Sequence, residues 1–284
     1  MIRLKIFRQS SSLDSQEEKH PKTLGEQMKT KPLFIIAFFY LSSAFVYPQE
    51  PVKEKLLLPS GISLEYGIGS FAVTDEYISK EKYSGSLPYY GISWYKPHDS
   101  YIYRLSLNYR NSSKINNNNV SADVHQFTLN QGFRYALPKF KLFDKDAYAF
   151  LGPSAELYFY FNKQNIAVSG FDYAQSFAAL ISGGVTSQLF FKLWNDFDIE
   201  ANLDFSLLSF AFRMVDEEET DESAVKLLTI ISGTNLNFNF GPRYYLLDNL
   251  SIKATYLFHL TRISSWELLI SANDNLVLTM TYGF

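Results

Sequence analysis

Strict period-two alternation, sustained over runs longer than most strands of soluble proteins, constrains this chain more than any other feature. In FDIEANLDFSL (197–207), Phe197, Ile199, Ala201, Leu203 and Phe205 alternate with Asp198, Glu200, Asn202, Asp204 and Ser206. Successive side chains of a strand point to opposite faces, so such a run is a ribbon with one apolar and one polar side. YIYRLSLNYR (101–110) repeats the pattern, with tyrosines and leucines set against Arg104, Ser106, Asn108 and Arg110. The same reading applies to 61–69, 88–95, 126–137, 147–161, 176–191, 228–244, 250–260 and the final NLVLTMTYGF (275–284), for ten runs in all.

The links between runs alternate in length. Short ones fall at 96–100, 138–145, 193–196 and 246–249. Longer polar ones fall near 72–87, 111–123, 162–175, 214–226 and 262–273, among them KINNNN (114–119) and DEEETDE (216–222). Hairpins that turn tightly on one side and loosely on the other suit a membrane crossing. A soluble sandwich also alternates, but its strands are usually five or six residues long. In lipid every backbone polar group must pair within the protein, so only helices and closed barrels span. A tilted strand needs about 9–11 residues to cross, and these runs supply them. The predicted fold is all-β: a closed antiparallel up-and-down transmembrane β-barrel of about ten strands, with eight as the alternative because the first two runs are weakly patterned. Pro153 and Pro242 fall inside runs, and neither can donate to a ladder, so a bulge or strand end is expected at each.

Composition narrows the function classes. With 17% aromatic residues, a net charge of -3 and no cysteine, the chain has no basic surplus for nucleic acid, no disulfide framework and no thiolate site. Residues 1–27 are polar and without period, and are read as an unstructured extension ahead of the true start. Lys29 and Lys31 then precede LFIIAFFYLSSAFV (33–46), a basic region followed by an apolar one. Residues 28–44 are therefore expected to be a signal peptide, with cleavage after Ala44 and a short periplasmic segment over 45–59. Residues 60–284 would form the barrel as one domain.

These features together resemble the bacterial outer-membrane β-barrel superfamily, in its small single-chain range: the signal at 28–44, the two-faced strands across 60–284, and the ladder Leu276–Leu278–Met280–Tyr282–Phe284. The resemblance implies an outer-membrane location with both termini periplasmic. It implies that the terminal aromatic strand is the assembly signal, read by barrel-assembly machinery after delivery by periplasmic chaperones. Outer-membrane lipid and an extracellular ligand met through the loops are the other partners it implies.

If the apolar faces meet lipid, the polar faces line a lumen. Asp198, Glu200, Arg243 and Lys253 would then lie on neighbouring strands near the periplasmic end, with Arg134 close by. Buried charges need partners, so a charge-paired plug is expected there. The leading functional expectation is a structural or surface-interaction barrel with exposed loops. A narrow porin-like channel and a barrel-embedded hydrolase or lipid-modifying enzyme are the alternatives. Of the four histidines, His20 precedes the barrel and His98 lies in a short turn. His259 faces inward with no carboxylate in phase, and His125 has no evident partner. No catalytic set, cofactor site or metal site is expected. Deleting Phe284, or appending a polar tail to it, should lower outer-membrane insertion more than any loop change, read as loss of the heat-modifiable band on a gel.

Overall fold

In the computed structural model the described residues are 60–284 apart from 99, 118–119, 144, 166–173 and 214–224. The expected extension, signal peptide and segment 45–59 lie outside them, as do DEEETDE and two asparagines of KINNNN. The strands are β1 (Gly61–Asp75), β2 (Ser79–Ser86), β3 (Tyr89–Pro97), β4 (Tyr101–Asn117), β5 (Val120–Ala136), β6 (Phe140–Leu142), β7 (Lys145–Asn165), β8 (Ala174–Trp194), β9 (Phe197–Arg213), β10 (Val225–Thr229), β11 (Gly233–Leu247), β12 (Leu250–Ile263) and β13 (Leu269–Gly283). Ten of them close a ring in the order β1-β3-β4-β5-β7-β8-β9-β11-β12-β13, every neighbouring pair antiparallel. β2 and β10 extend the wall at the end of the longer links, and β6 is a short ribbon on β7 at the other end. The chain is a closed transmembrane β-barrel, with ten strands rather than eight.

Closure joins the first strand to the last. Gly61 pairs with Gly283, Gly69 with Asn275 and Asp75 with Leu269. No sheet edge is left open at this seam. The wall is tilted, as a ladder followed across it shows. Tyr101, the first residue of β4, leads through Tyr135, Leu151, Ser187, Leu203, Phe238, Phe258 and Asp274 to Ser70, near the far end of β1. One circuit thus gains about a dozen residues of stagger, which for ten strands corresponds to a tilt of roughly 40°. Each residue then adds about 2.5 Å of height.

The faces divide as the alternation predicts over the lower part of the wall. Ile62, Leu64, Tyr66 and Ile68 of β1 and Leu276, Leu278, Met280 and Tyr282 of β13 are exposed outside, while Ser63, Asn275, Thr279 and Thr281 are buried inside. Near the longer links the division reverses. Phe71 and Val73 of β1, Tyr83 of β2, Ile115 of β4, Ala122 and Val124 of β5, Ile263 of β12 and Leu269 of β13 are buried inside, in one cluster that closes the lumen. Trp266, from the link between β12 and β13, packs onto it.

This reversal corrects two expectations about links. Residues 72–87 and 111–123, which read as polar links, are mostly strand. Their outer faces are wet and their inner faces form a soluble-type core, so the apolar residues are sparse and in the opposite phase.

Neither proline ends a strand. Ladder pairs flank Pro153 on β7 and Pro242 on β11 with no register shift, and each proline still pairs on one side. The missing pairs fall on the other side, where Gly152 and Gly241 let the neighbouring strand close in. A Cβ at Gly152 would meet the Phe133 carbonyl oxygen at 1.9 Å, and one at Gly241 the Ala254 carbonyl oxygen at 2.0 Å. Gly183, by contrast, has open space around the same position. Gly152→Ala should therefore cost about 1–3 kcal/mol in urea unfolding from lipid vesicles. Gly183→Ala should be neutral or stabilising by up to about 1 kcal/mol in the same measurement.

Candidate functional site: the filled lumen

Each inward polar residue is placed by the period of its strand, and the stagger of the wall decides which strands share a level. Below the apolar cluster at the loop end, and beside a smaller one at the short-turn end, the lumen holds five acidic residues (Glu65, Glu156, Asp198, Glu200, Asp204). It also holds five basic ones (Arg104, Arg110, Arg134, Arg243, Lys253). The short-turn cluster consists of Ile102, Ala136, Tyr148, Phe150 and Phe190, with Tyr95 against it.

Glu200 is the hub of the charged layer. Its carboxylate is paired by Arg243 from the adjacent β11 and by Lys253 of β12 at 3.4 Å. The same carboxylate accepts hydrogen bonds from Gln188 Nε2 at 3.0 Å and Asn202 Nδ2 at 2.5 Å. Asp198 lies one step toward the short turns, opposite Arg243 in the ladder, and accepts from Tyr245 Oη at 2.5 Å. Arg134 does not touch Glu200 directly. It donates to Thr186 at 2.8 Å, Gln188 at 3.1 Å and Asn202 at 3.0 Å, and pairs with Asp204 at 3.5 Å. To do so it reaches from β5 across β7, where Gly152 presents no side chain opposite Thr186. Of the five lumen residues picked out in the sequence, Glu200, Arg243 and Lys253 meet directly. Arg134 joins through two shared amides, and Asp198 sits at the edge.

Several partners were not picked out. Glu65 pairs with Arg104 at 3.6 Å and accepts from Tyr89 Oη at 2.6 Å and Ser93 Oγ at 3.1 Å. Arg110 lies 5.0 Å from the centroid of the Tyr89 ring. Glu156 accepts from the amides of Asn130 and Asn235. All of these follow the inward phase of their runs, so phase was the usable signal. Asp75 and Arg213 gave no such signal, because they stand where the sequence reads as link or strand end. They form a fully buried ion pair at 2.5 Å across the loop end of the lumen. Arg213 also donates to the Glu267 carbonyl, which ties the Trp266 link inward.

The histidines take unlike positions. His259 is buried against the Tyr158 ring at 5.6 Å, with Asn273 Nδ2 3.4 Å from its Nδ1. Its Nε2 has no hydrogen-bond partner among the described residues. His125, expected to lack a partner, has one: Tyr109 Oη lies 2.8 Å from its Nδ1 on the outer surface. His98 stacks on Tyr101. Among the described residues no group of three or more histidines and carboxylates is placed to hold a metal.

Cavities of about 50, 20 and 10 Å³ lie between these side chains. A single water needs about 10–15 Å³ on this measure, so the 50 Å³ cavity holds a few.

A closed ring with an apolar outer belt and a charge-filled lumen defines a transmembrane β-barrel. The protein is similar in fold to the outer membrane protease OmpT of Escherichia coli, at TM-score 0.44 and 8% identity over 79% of this chain and 96% of that one. It is similar also to the translocator domain of the autotransporter NalP of Neisseria meningitidis, at TM-score 0.39 and 12% identity over 91% and 98%. An outer membrane channel of Pseudomonas putida F1 aligns at TM-score 0.37 and 10% identity over 83% and 100%. Neither a family model nor a curated protein sequence matches the chain. At such identities the likeness concerns the fold and nothing finer.

Removing one member of a buried charge group strands the others. Glu200→Gln leaves Arg243 and Lys253 without their shared carboxylate and should cost about 3–5 kcal/mol of stability. Glu65→Gln, which removes the charge partner of the partly accessible Arg104 and keeps one amide oxygen to accept from Tyr89 or Ser93, should cost less in the same urea titration.

Proposed function

We propose that the chain is an outer-membrane barrel with a structural or surface-interaction role, sealed along its lumen and meeting its surroundings through its outer wall and loop end. The observation that carries this reading is the filling of the lumen: an apolar cluster at the short turns, the Glu200-centred ion network beside and above it, and the apolar cluster beneath the loops. A conducting pore needs a continuous water path, and selectivity arises from charges that line it without bonding across it. Here the charges bond to one another across the bore. An enzyme reading would need a nucleophile or base held by an orienting partner within reach of substrate. The inward histidine is instead enclosed against Tyr158, Asn273 and Asn237.

The outer-membrane setting is supported by the height of the apolar belt and by its aromatic borders. Trp94, Phe197, Tyr244 and Tyr282 mark the short-turn side, and Tyr109, Phe127 and Ile181 lie on average about 20 Å higher at roughly 2.5 Å per residue, close to the height expected for such a belt. Planar-bilayer recording of the refolded protein should show no stable conductance, and a steady open level at low voltage would overturn the sealed reading. The resemblance drawn from the terminal ladder adds the assembly machinery as a partner, tested by whether Tyr282→Ser combined with Met280→Ser lowers insertion in cells.

A further inference from the structure

The outer face does not end at one height around the ring. Ladder pairs lead from Tyr66 on β1 through Tyr90, Tyr109, Phe127 and Phe159 to Ala179 on β8, five strands away and diametrically opposite. The stagger over those five steps is about six residues, so the residue of β1 level with Ala179 is Ala72. Both alanines face outward, and their surroundings differ sharply. Ala72 is paired with Ala272 and Ser84, with Ser70, Thr74 and Lys82 close by on the same face. Ala179 is paired with Phe159 and Phe212, and Phe177 stands above it.

On β1 the last outward apolar residue of the belt is Ile68, and on β13 the belt breaks after Leu276 at Asp274, bonded to Tyr256 and Ser70, with only Ala272 and the half-buried Ile270 beyond it. On β8 the apolar face continues to Phe177, about 15 Å higher on the same scale of roughly 2.5 Å per residue. Beside it, Phe210, Phe212, Val225 and Leu227 of β9 and β10 are all exposed. The turn between β10 and β11 pushes Ile230 and Ile231 outward next to them, Ile231 being 86% exposed. These strands are also apolar on their inner side here, with Ala178, Leu180, Ala211 and Leu228 fully buried. On β1, β4 and β5 the outer face turns polar at the level where the inner face turns apolar. In this sector it does not.

We propose that the β7–β10 sector is a raised lipid-contact surface, against which the acyl chains of the surrounding membrane stand higher than they do against β1–β3. Lipid is the occupant because the ridge is continuous with the belt. Rings at Phe127, Phe159, Phe177 and Phe212 follow one another at about 6 Å spacing with no polar residue between them. The barrel is thus ringed by a bilayer of uneven thickness, thinned at the β1–β13 seam, where Asp274 faces outward. Adjusting a bilayer to a wall costs only fractions of a kcal/mol per Å of mismatch, so such a collar is sustainable. This inference rests on the membrane reading above.

The chain has no cysteine, so single labels can be placed cleanly. Ala155→Cys in mid-belt, Ala179→Cys on the ridge and Ala72→Cys at the level opposite would each carry a nitroxide, in full-length protein refolded into dioleoylphosphatidylcholine vesicles. Accessibility to oxygen and to a water-soluble nickel chelate then reports the surroundings. The expected result is lipid-like accessibility at 155 and 179 and water-like accessibility at 72, with an oxygen-to-nickel ratio several-fold higher at 179 than at 72. If 155 is lipid-like but 179 matches 72, the ridge is not a lipid surface and the membrane reading stands. If 155 itself is water-like, the membrane reading falls and takes this one with it. Shielding of 179 from both reagents, with or without dipolar coupling between copies, would assign the ridge to protein contact and overturn the proposal.

Discussion

The fold depends first on a backbone constraint. All 15 residues of β1 face a partner on β13, and only this seam converts a curled sheet into a ring without edges. Once the ring is closed, a ten-stranded bore is narrow enough that side chains from opposite walls meet. The outer face must then satisfy its solvent alone. The inner face must satisfy itself. Every later feature, from the apolar belt to the charge-balanced core, answers one of those two demands.

The inner demand is met by matching charge to charge and by filling gaps with amides. A lone carboxylate such as Glu156 is held by two asparagines, and Glu200 holds two cations. Buried ion pairs are not in themselves a source of stability, since desolvation offsets the attraction. Their use here is geometric. Arg134 spans from β5 across the inner face of β7 to β8 and β9, so the network also fixes how the strands on either side of β7 stand to one another.

Strand positions, seam and strand count were legible because the lipid-facing part of each strand carries an unbroken alternation with a single sign. Lumen residues were legible to the extent that they share that phase: Glu200, Arg243 and Lys253 could be grouped from sequence alone. What could not be read was the upper third of the wall. There β4 and β5 carry asparagines and serines outside and Ile115, Ala122 and Val124 inside, so the same period runs with its sign inverted and looks like a polar link. Asp75 and Arg213 were lost for the same reason. Nor could the sequence show that Gly152 and Pro153 act together, since the close approach of Phe133 is a property of the neighbouring strand.

The Asp75–Arg213 pair and the Trp266 link above it have a consequence for how the molecule comes apart. They belong to β1, β9 and the β12–β13 connection, parts distant in sequence that the closed ring brings together at the loop end. Contacts of this kind that are absent from a folding transition state act on the unfolding rate rather than on the folding rate. Pulling β1 or β13 out of the wall requires Asp75 to leave its arginine and its apolar neighbours to leave their core. The loop-end core thus behaves as a rivet head on the ring, and such a device sets a lifetime that equilibrium stability alone does not determine.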